Sequence, residues 1–347
     1  MFSTSATRAV SASASLAMLT TALVLAPASA HADATGDEFD HLRQTYADSL
    51  TGGDDYSLSD SDIVARVDTI TTTAQAYWDT MITTVQRNRL WNDSPLGTDS
   101  AGVTRTYEHI RAMALAYSTR GSSLEGEPLL RDAVIDALEW MNEKQFFVGA
   151  TMYQNWWHWQ IGAPLALNDI VALMYDDLTA SQIADYTAAI AYVQPSVTMS
   201  GANRLWESQV IALSGINAKD ASRVAAGRDG MSALYRYVTS GDGFSTDGSF
   251  VQHSFYAYNG GYGVSLLAGI ADLTNLLHGS TWAVTDPDAD HVVEWVYGAY
   301  EPFVYRGNLM DMVRGREISR YGVQDNDAAV DVMVAIIKLS EIAPASD

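Results

Sequence analysis

Cysteine is absent from all 347 residues. That excludes disulfides and thiolate nucleophiles, and it removes the commonest structural zinc ligand. Basic residues are scarce: 20 Lys and Arg stand against 42 Asp and Glu, a formal charge of −22. A nucleic-acid binder needs a basic stripe against phosphates, so this balance argues against that class. It argues equally against an anionic membrane surface. Sustained period-two alternation is missing, so strands are weakly signalled. There is no glycine-rich phosphate loop, no H-E-x-x-H and no G-x-S-x-G. Beyond the N-terminus, no apolar run approaches the ~20 residues that span a bilayer.

The N-terminus has its own pattern. Met1 to Ala32 holds no acid, and Arg8 is its only Lys or Arg. An apolar stretch from Leu16 to Ala26 precedes Pro27-Ala28-Ser29-Ala30-His31-Ala32. This reads as a signal peptide over residues 1–32, cleaved after Ala30 or Ala32, and predicts a secreted, extracellular protein. The domain proper is then 33–347.

Hydrophobic residues are 48% of the chain, enough for a sizeable core. Helical patterns dominate it. Residues 33–50 read as a first helix closed by Gly52-Gly53. Residues 59–86 place Ile63, Val64, Val67, Ile70 and Ala74 on one face. A loop over 88–102 follows, with Asn92, Asp93 and Pro95 as turn residues. Further helices are expected over 107–117, 129–143, 217–238, 263–277, 290–300 and 326–342. Thr179 and Gln182 form a capping box ahead of 183–193. The fold class is all-α, with helical hairpins stacked as a solenoid or a toroid. The connecting segments of unusual composition carry Trp156-Trp157, Asn203, His253, Tyr262 and Arg316. Loops on a rigid scaffold are where chemistry usually sits.

Each of these has a structural and a functional reading. Three Trp in the four positions 156–159 cannot share one helix face. They pack in a core, or at least one of Trp156 and Trp157 offers a ring to the apolar face of a sugar. Asn203 caps a helix, or donates to a carboxylate or carbonyl. His253 lies in a Gly-, Ser- and aromatic-rich segment. Tyr262 sits between Gly261 and Gly263, and the missing side chains would let a substrate come close. Arg314, Arg316 and Arg320 pair with Asp311 and Glu317 on a solvated face, or gather an anion. In the second case their cleft is locally positive despite the acidic whole. A tyrosine beside cationic groups suits proton transfer on an anionic substrate, since such neighbours favour tyrosinate. Carboxylate pairs for glycoside hydrolysis stay open, because 42 acids supply many candidates.

In combination the motifs resemble polysaccharide lyase family 8, which includes hyaluronate, chondroitin AC and xanthan lyases. The similarity runs from about Ala34 to Tyr321. It is strongest in Asn155-Trp156-Trp157, in Gly201-Ala202-Asn203-Arg204, from Ser240 to Gly263 and from Tyr305 to Arg320. The resemblance implies an incomplete α/α toroid and eliminative cleavage of a uronic-acid polysaccharide, hyaluronate or chondroitin first, with xanthan as the alternative. Residue by residue, it implies Tyr262 as catalytic base and acid, and Asn203 and His253 as partners of the substrate carboxylate. Arg316 and Arg320 become the cationic pair beside the tyrosine. Trp156, Trp157, Asn155 and Arg314 become substrate-binding residues. No cofactor and no metal are implied, the partner is an acidic polysaccharide, and a monomer is expected. The resemblance also implies β-sandwich domains after the toroid, which supply an acidic residue near the site and have no counterpart in this sequence. An aromatic position shortly before Asn203 is altered: Val197-Thr198-Met199 offers none. A non-catalytic sugar-binding toroid and a glycoside hydrolase on a similar scaffold are the rival classes.

Overall fold

The computed structural model describes residues 36–342. The expected leader, residues 1–32, lies outside them. Helix α1 (Glu38–Thr51) starts in a reciprocal capping box between Asp37 and Asp40 and stops at Gly52, whose φ of 89° is left-handed. Helix α2 (Ser61–Thr80) is capped by Asp60 and ends earlier than the pattern suggests. Met81 turns extended there, and the Ile82 N–H leaves the helix to bond the Leu90 carbonyl at 2.8 Å. Helices α3 (Ala101–Ser118) and α4 (Pro128–Lys144) follow, the second opening on proline. Helix α5 (Ala163–Leu173) is preceded by a π-helical turn over His158–Gly162. Helix α6 (Ala180–Val193) carries the expected Thr179–Gln182 capping box.

The expected single helix over 217–238 is broken. Helix α7 (Gly201–Ala218) stops at Lys219, which takes a left-handed φ of 54°. Asp220 then caps α8 (Ala221–Gly230) with its side chain. Helix α9 (Val264–Leu277) follows a second π turn over Asn259–Gly263. Helix α10 (His291–Trp295) runs into a third, and α11 (Asp325–Ile342) is the last.

Small sheets interrupt the helices. Strands β1 (Gly243–Phe244), β2 (Phe250–Gln252) and β3 (Tyr256–Ala257) form an antiparallel sheet in that order, with Val251 opposite both Gly243 and Ala257. Strands β4 (Val304–Tyr305) and β5 (Asn308–Leu309) make a hairpin. Pieces of two or three residues are too short to show alternation, so sequence patterning misses them.

Helices α3, α5, α7, α9 and α11 pack in succession as an inner layer. Helix α2 covers α3, while α6 and α8 cover α7; α1 lies against α5, α7 and α9. This is the incomplete α/α toroid. Two apolar cores hold it. One spans α2 to α6 around Tyr107, Phe146 and Trp159. The other spans α7 to α11 around Phe244, Phe250, Trp295 and Tyr300. Burying each such large side chain contributes on the order of 1.5–3 kcal/mol. No helix among the described residues is long and apolar enough to cross a membrane.

Candidate active site

A cleft of about 750 Å³ opens at the starts of α5, α7 and α9. Asn155, Trp156, Trp157, Asn203, His253, Tyr262, Arg316 and Arg320 all line it. One wall is the entry to α5. The Asn155 side-chain oxygen accepts the Trp157 N–H at 3.1 Å, so this residue caps the helical turn as well as facing the cleft. Trp156 is 37% exposed, whereas Trp159 is buried at 1% and stacks on Phe146. The core reading therefore holds for Trp159, while Trp156 and Trp157 line the cleft.

The opposite wall centres on Tyr262. The Arg316 Nη2 donates to its hydroxyl at 2.9 Å, and the guanidinium carbon lies 5.7 Å from its ring centre. The His253 imidazole meets the same ring edge-on at 5.1 Å. Arg316 has no carboxylate ion-pair partner among the described residues. The Tyr262 hydroxyl first, with Tyr258 and Glu317 behind it, holds its guanidinium above the ordinary value against burial, which acts the other way. Arg320 lies on the same rim, its Nε 3.0 Å from Glu317. Glu317 also accepts from the Tyr258 hydroxyl at 2.9 Å. Burial first, then that carboxylate, pushes the Tyr258 phenol up, so it stays a donor.

Asn203 stands in the first turn of α7, not in a loop as its composition suggested. Its amide has no hydrogen-bond partner within the protein among the described residues, although the side chain is half-buried at the cleft. An amide in that position is free for a ligand. His253 takes φ 55° and Ser254 φ 72°. Each left-handed non-glycine residue costs about 1–3 kcal/mol and persists only where its surroundings enforce it.

The geometry, a tyrosine hydroxyl held by arginine with imidazole, amide and indole groups around one cleft, can move a proton beside a bound anion. A family model described as polysaccharide lyase family 8, N-terminal alpha-helical domain, matches residues 46–347. The chain belongs to polysaccharide lyase family 8. A xanthan lyase of Bacillus sp. (strain GL1) is 44% identical over 322 residues, which cover 92% of this chain and 34% of that protein. A hyaluronate lyase of Thermasporomyces composti is 36% identical over 311 residues, 89% of this chain and 40% of that protein. The solved Paenibacillus xanthan lyase aligns with a TM-score of 0.87 at 64% identity, over 90% of this chain and 30% of that one. The Streptomyces coelicolor A3 chondroitin AC lyase, solved in complex with chondroitin sulphate, aligns at 0.84 and 33% identity, over 90% of this chain and 44% of that one. The chain spans 34% and 40% of the lengths of these two curated lyases.

Within this family 8 chain, Arg314 departs from expectation. It is 3% exposed, pairs with Asp311 at 2.7 Å and donates to the Val323 carbonyl at 2.8 Å. Its stem packs on Gly260, where a Cβ would lie 2.7 Å from its Cγ. Arg314 therefore holds the wall up from behind and does not line the cleft. The glycines beside Tyr262 serve the same packing: a Cβ on Gly261 would overlap the Tyr258 ring at 2.0 Å. Their smallness admits these protein neighbours, and Gly261 also lines the cleft.

The cleft is not a purely basic pocket either. Glu317 and Asp331 line it opposite two arginines, so the formal charges cancel. Burial, then Asp327 and Asp272, pushes the Asp331 carboxyl up. Sequence reading also missed Trp206 and His158, which both line the cleft. The Trp206 ring bridges Trp157 at 6.0 Å and Tyr262 at 5.9 Å. Its signal was available, three residues after Asn203 on a helix. The His158 Nδ1 lies 3.0 Å from the Thr104 hydroxyl, and burial keeps its imidazole below the ordinary value.

Proposed function

We propose that this chain is the helical catalytic part of a secreted polysaccharide lyase that cleaves a uronic-acid polysaccharide by β-elimination. The observation that carries the reading is the 2.9 Å hydrogen bond from Arg316 to the Tyr262 hydroxyl, with the His253 ring against the same tyrosine. Asn203 and His253 hydrogen-bond the uronate carboxylate and absorb charge as an enolate-like state develops. Tyr262 takes the C5 proton, with Arg316 stabilising the charge that appears on its oxygen. The C5–H electrons form the C4–C5 double bond as the C4–O bond breaks. Tyr262 then returns a proton to the departing glycosidic oxygen. Trp156 and Trp157 stack on sugar rings and hold the chain in register. No cofactor or metal enters these steps, and the protein acts as a monomer. The apolar leader pattern over residues 1–32 supports secretion.

For the substrate, relatives named xanthan lyase are 44% and 64% identical, above the hyaluronate and chondroitin lyases at 36% and 33%. That ordering favours xanthan over the hyaluronate or chondroitin that the motifs alone suggest first. The test incubates the protein with xanthan, hyaluronan, chondroitin and chondroitin sulfate and follows ultraviolet absorbance of the unsaturated uronate. Absorbance rising fastest on xanthan is the expected result. New reducing ends without absorbance would mean hydrolysis, and binding without either would mean a non-catalytic toroid.

A further inference from the structure

The first turn of α7 and the turn that carries His253 are joined by two side chains that do not line the cleft. Ser200 precedes α7 but makes no side-chain cap of its own. The cap comes from Gln252, fully buried, whose Oε1 accepts the Ala202 N–H at 3.1 Å. Its Nε2 donates to Asp242 Oδ2 at 3.0 Å, and the Ser200 hydroxyl donates to the same oxygen at 2.9 Å. Asp242 Oδ1 accepts the Ser254 N–H at 2.6 Å. Gly201, at φ 55°, leaves room for this contact, since a Cβ there would lie 2.4 Å from Gln252 Oε1.

Asn203 is one residue beyond the capped Ala202. His253 lies between Gln252 and Ser254, both held by Asp242. We infer that Asp242 and Gln252 form a clamp that sets the spacing of Asn203 and His253, and so act as positioning residues for the cleft. The left-handed turn at His253 and Ser254 presents the Ser254 N–H to Asp242, so the clamp helps to hold that backbone. Both carboxyl oxygens are committed as acceptors to three donors, so an amide at this position would turn an N–H₂ toward at least one of them. A catalytic consequence rests on the elimination proposed above; the geometric one does not.

The test uses Asp242→Asn and the milder Ser200→Ala, which removes one of the three donors. The first readout is the nuclear Overhauser contact between the His253 and Tyr262 rings in selectively labelled protein. The second is kcat and KM on the best polysaccharide. In folded Asp242→Asn the ring contact weakens several-fold and kcat falls roughly 10- to 100-fold, as expected when reacting groups are displaced by about 1 Å, with KM nearly unchanged. Ser200→Ala shows a partial loss of both. A purely structural role would lower the melting temperature while leaving the ring contact and kcat of the folded protein intact, and that result overturns the clamp. If Asp242→Asn does not fold, full wild-type ring contact in Ser200→Ala overturns it. If the parent protein turns over no polysaccharide, the elimination reading fails, while the ring contact still judges the clamp.

Discussion

The wall bearing Trp156 and Trp157 and the wall bearing His253, Tyr262 and Arg316 face one cleft but are held by different means. The first is the entry to a helix, capped by Asn155 from within the same segment and backed by the core of Trp159 and Phe146. The second is assembled from residues far apart in sequence: a hairpin turn, a π turn and a short 3₁₀ helix over Gly315–Ser319. It depends on side-chain hydrogen bonds and on glycines that let Arg314 and Tyr258 close in. A platform that binds by area tolerates small shifts. A group that moves a proton, as proposed for Tyr262, does not, and distance-setting hydrogen bonds are found on that side.

The sharpest way to break this comparison is to remove one oxygen. Tyr262→Phe keeps the ring and its packing, so polysaccharide binding should persist while turnover falls by about 10³–10⁴-fold, the upper range for a general acid–base group. Asn203→Ala or His253→Ala should lower kcat by about 10²–10³-fold, as for lost stabilisation of developing charge. On the opposite wall, Trp157→Ala should act mainly on KM, raising it about tenfold, with kcat little changed. Steady-state kinetics on the best substrate checks all four variants. Near-normal turnover in Tyr262→Phe would move the proton to another group, His253 first.

The arginines sharpen the comparison within one wall. Arg314→Ala removes a buried, hydrogen-bonded guanidinium and leaves Asp311 and the Val323 carbonyl without it, so stability should fall by about 1–3 kcal/mol. Arg320→Ala breaks an ion pair whose arginine is half exposed, worth about 0–1 kcal/mol, and should leave thermal stability nearly unchanged while raising KM. That KM effect should shrink with salt, since exposed charges are screened over ~10 Å at about 0.1 M. Melting curves and kinetics at two ionic strengths decide it. The opposite pattern, a KM change for Arg314 and a melting change for Arg320, would exchange their roles.

The smallest expected effect lies on the helical side. His109, on α3, is buried against the Tyr77 ring at 3.9 Å, and burial lowers its pKa from 6.5 despite Asp93 at 3.5 Å. A histidine depressed in the folded state contributes stability above its unfolded value and loses it as pH falls through the folded one. Melting temperature should therefore be flat above pH ~6.5 and decline below it, and His109→Phe should flatten that decline. An unchanged acid slope in the variant would assign the effect elsewhere.

The two walls were not equally legible in sequence. Asn155-Trp156-Trp157 and the Thr179–Gln182 capping box are local signals, and the structure uses them locally. Helix α7 escaped notice because its cap comes from Gln252, fifty residues on, while Ser200 at its start makes no side-chain cap and the Gly201 after it reads as a break. Arg314 and Arg316 are two residues apart and alike in composition. Only the packing of Gly260 and Gly261 decides that one turns inward and the other toward Tyr262. The toroid was anticipated from helical periodicity and family resemblance, whereas strands of two or three residues carry no period to read.

Both inner helices that lead away from these walls, α5 and α9, begin with a π turn. Such a turn carries one residue more than an α turn. The wider turn absorbs that residue, so the helix beyond it stays in register with the chain before it. Deleting one residue there would close the bulge that follows Trp157 on one wall and carries Tyr262 on the other, with little rotation of what flanks it. The same deletion inside the regular part of α5 or α9 would instead turn everything beyond it by about 100° around the axis.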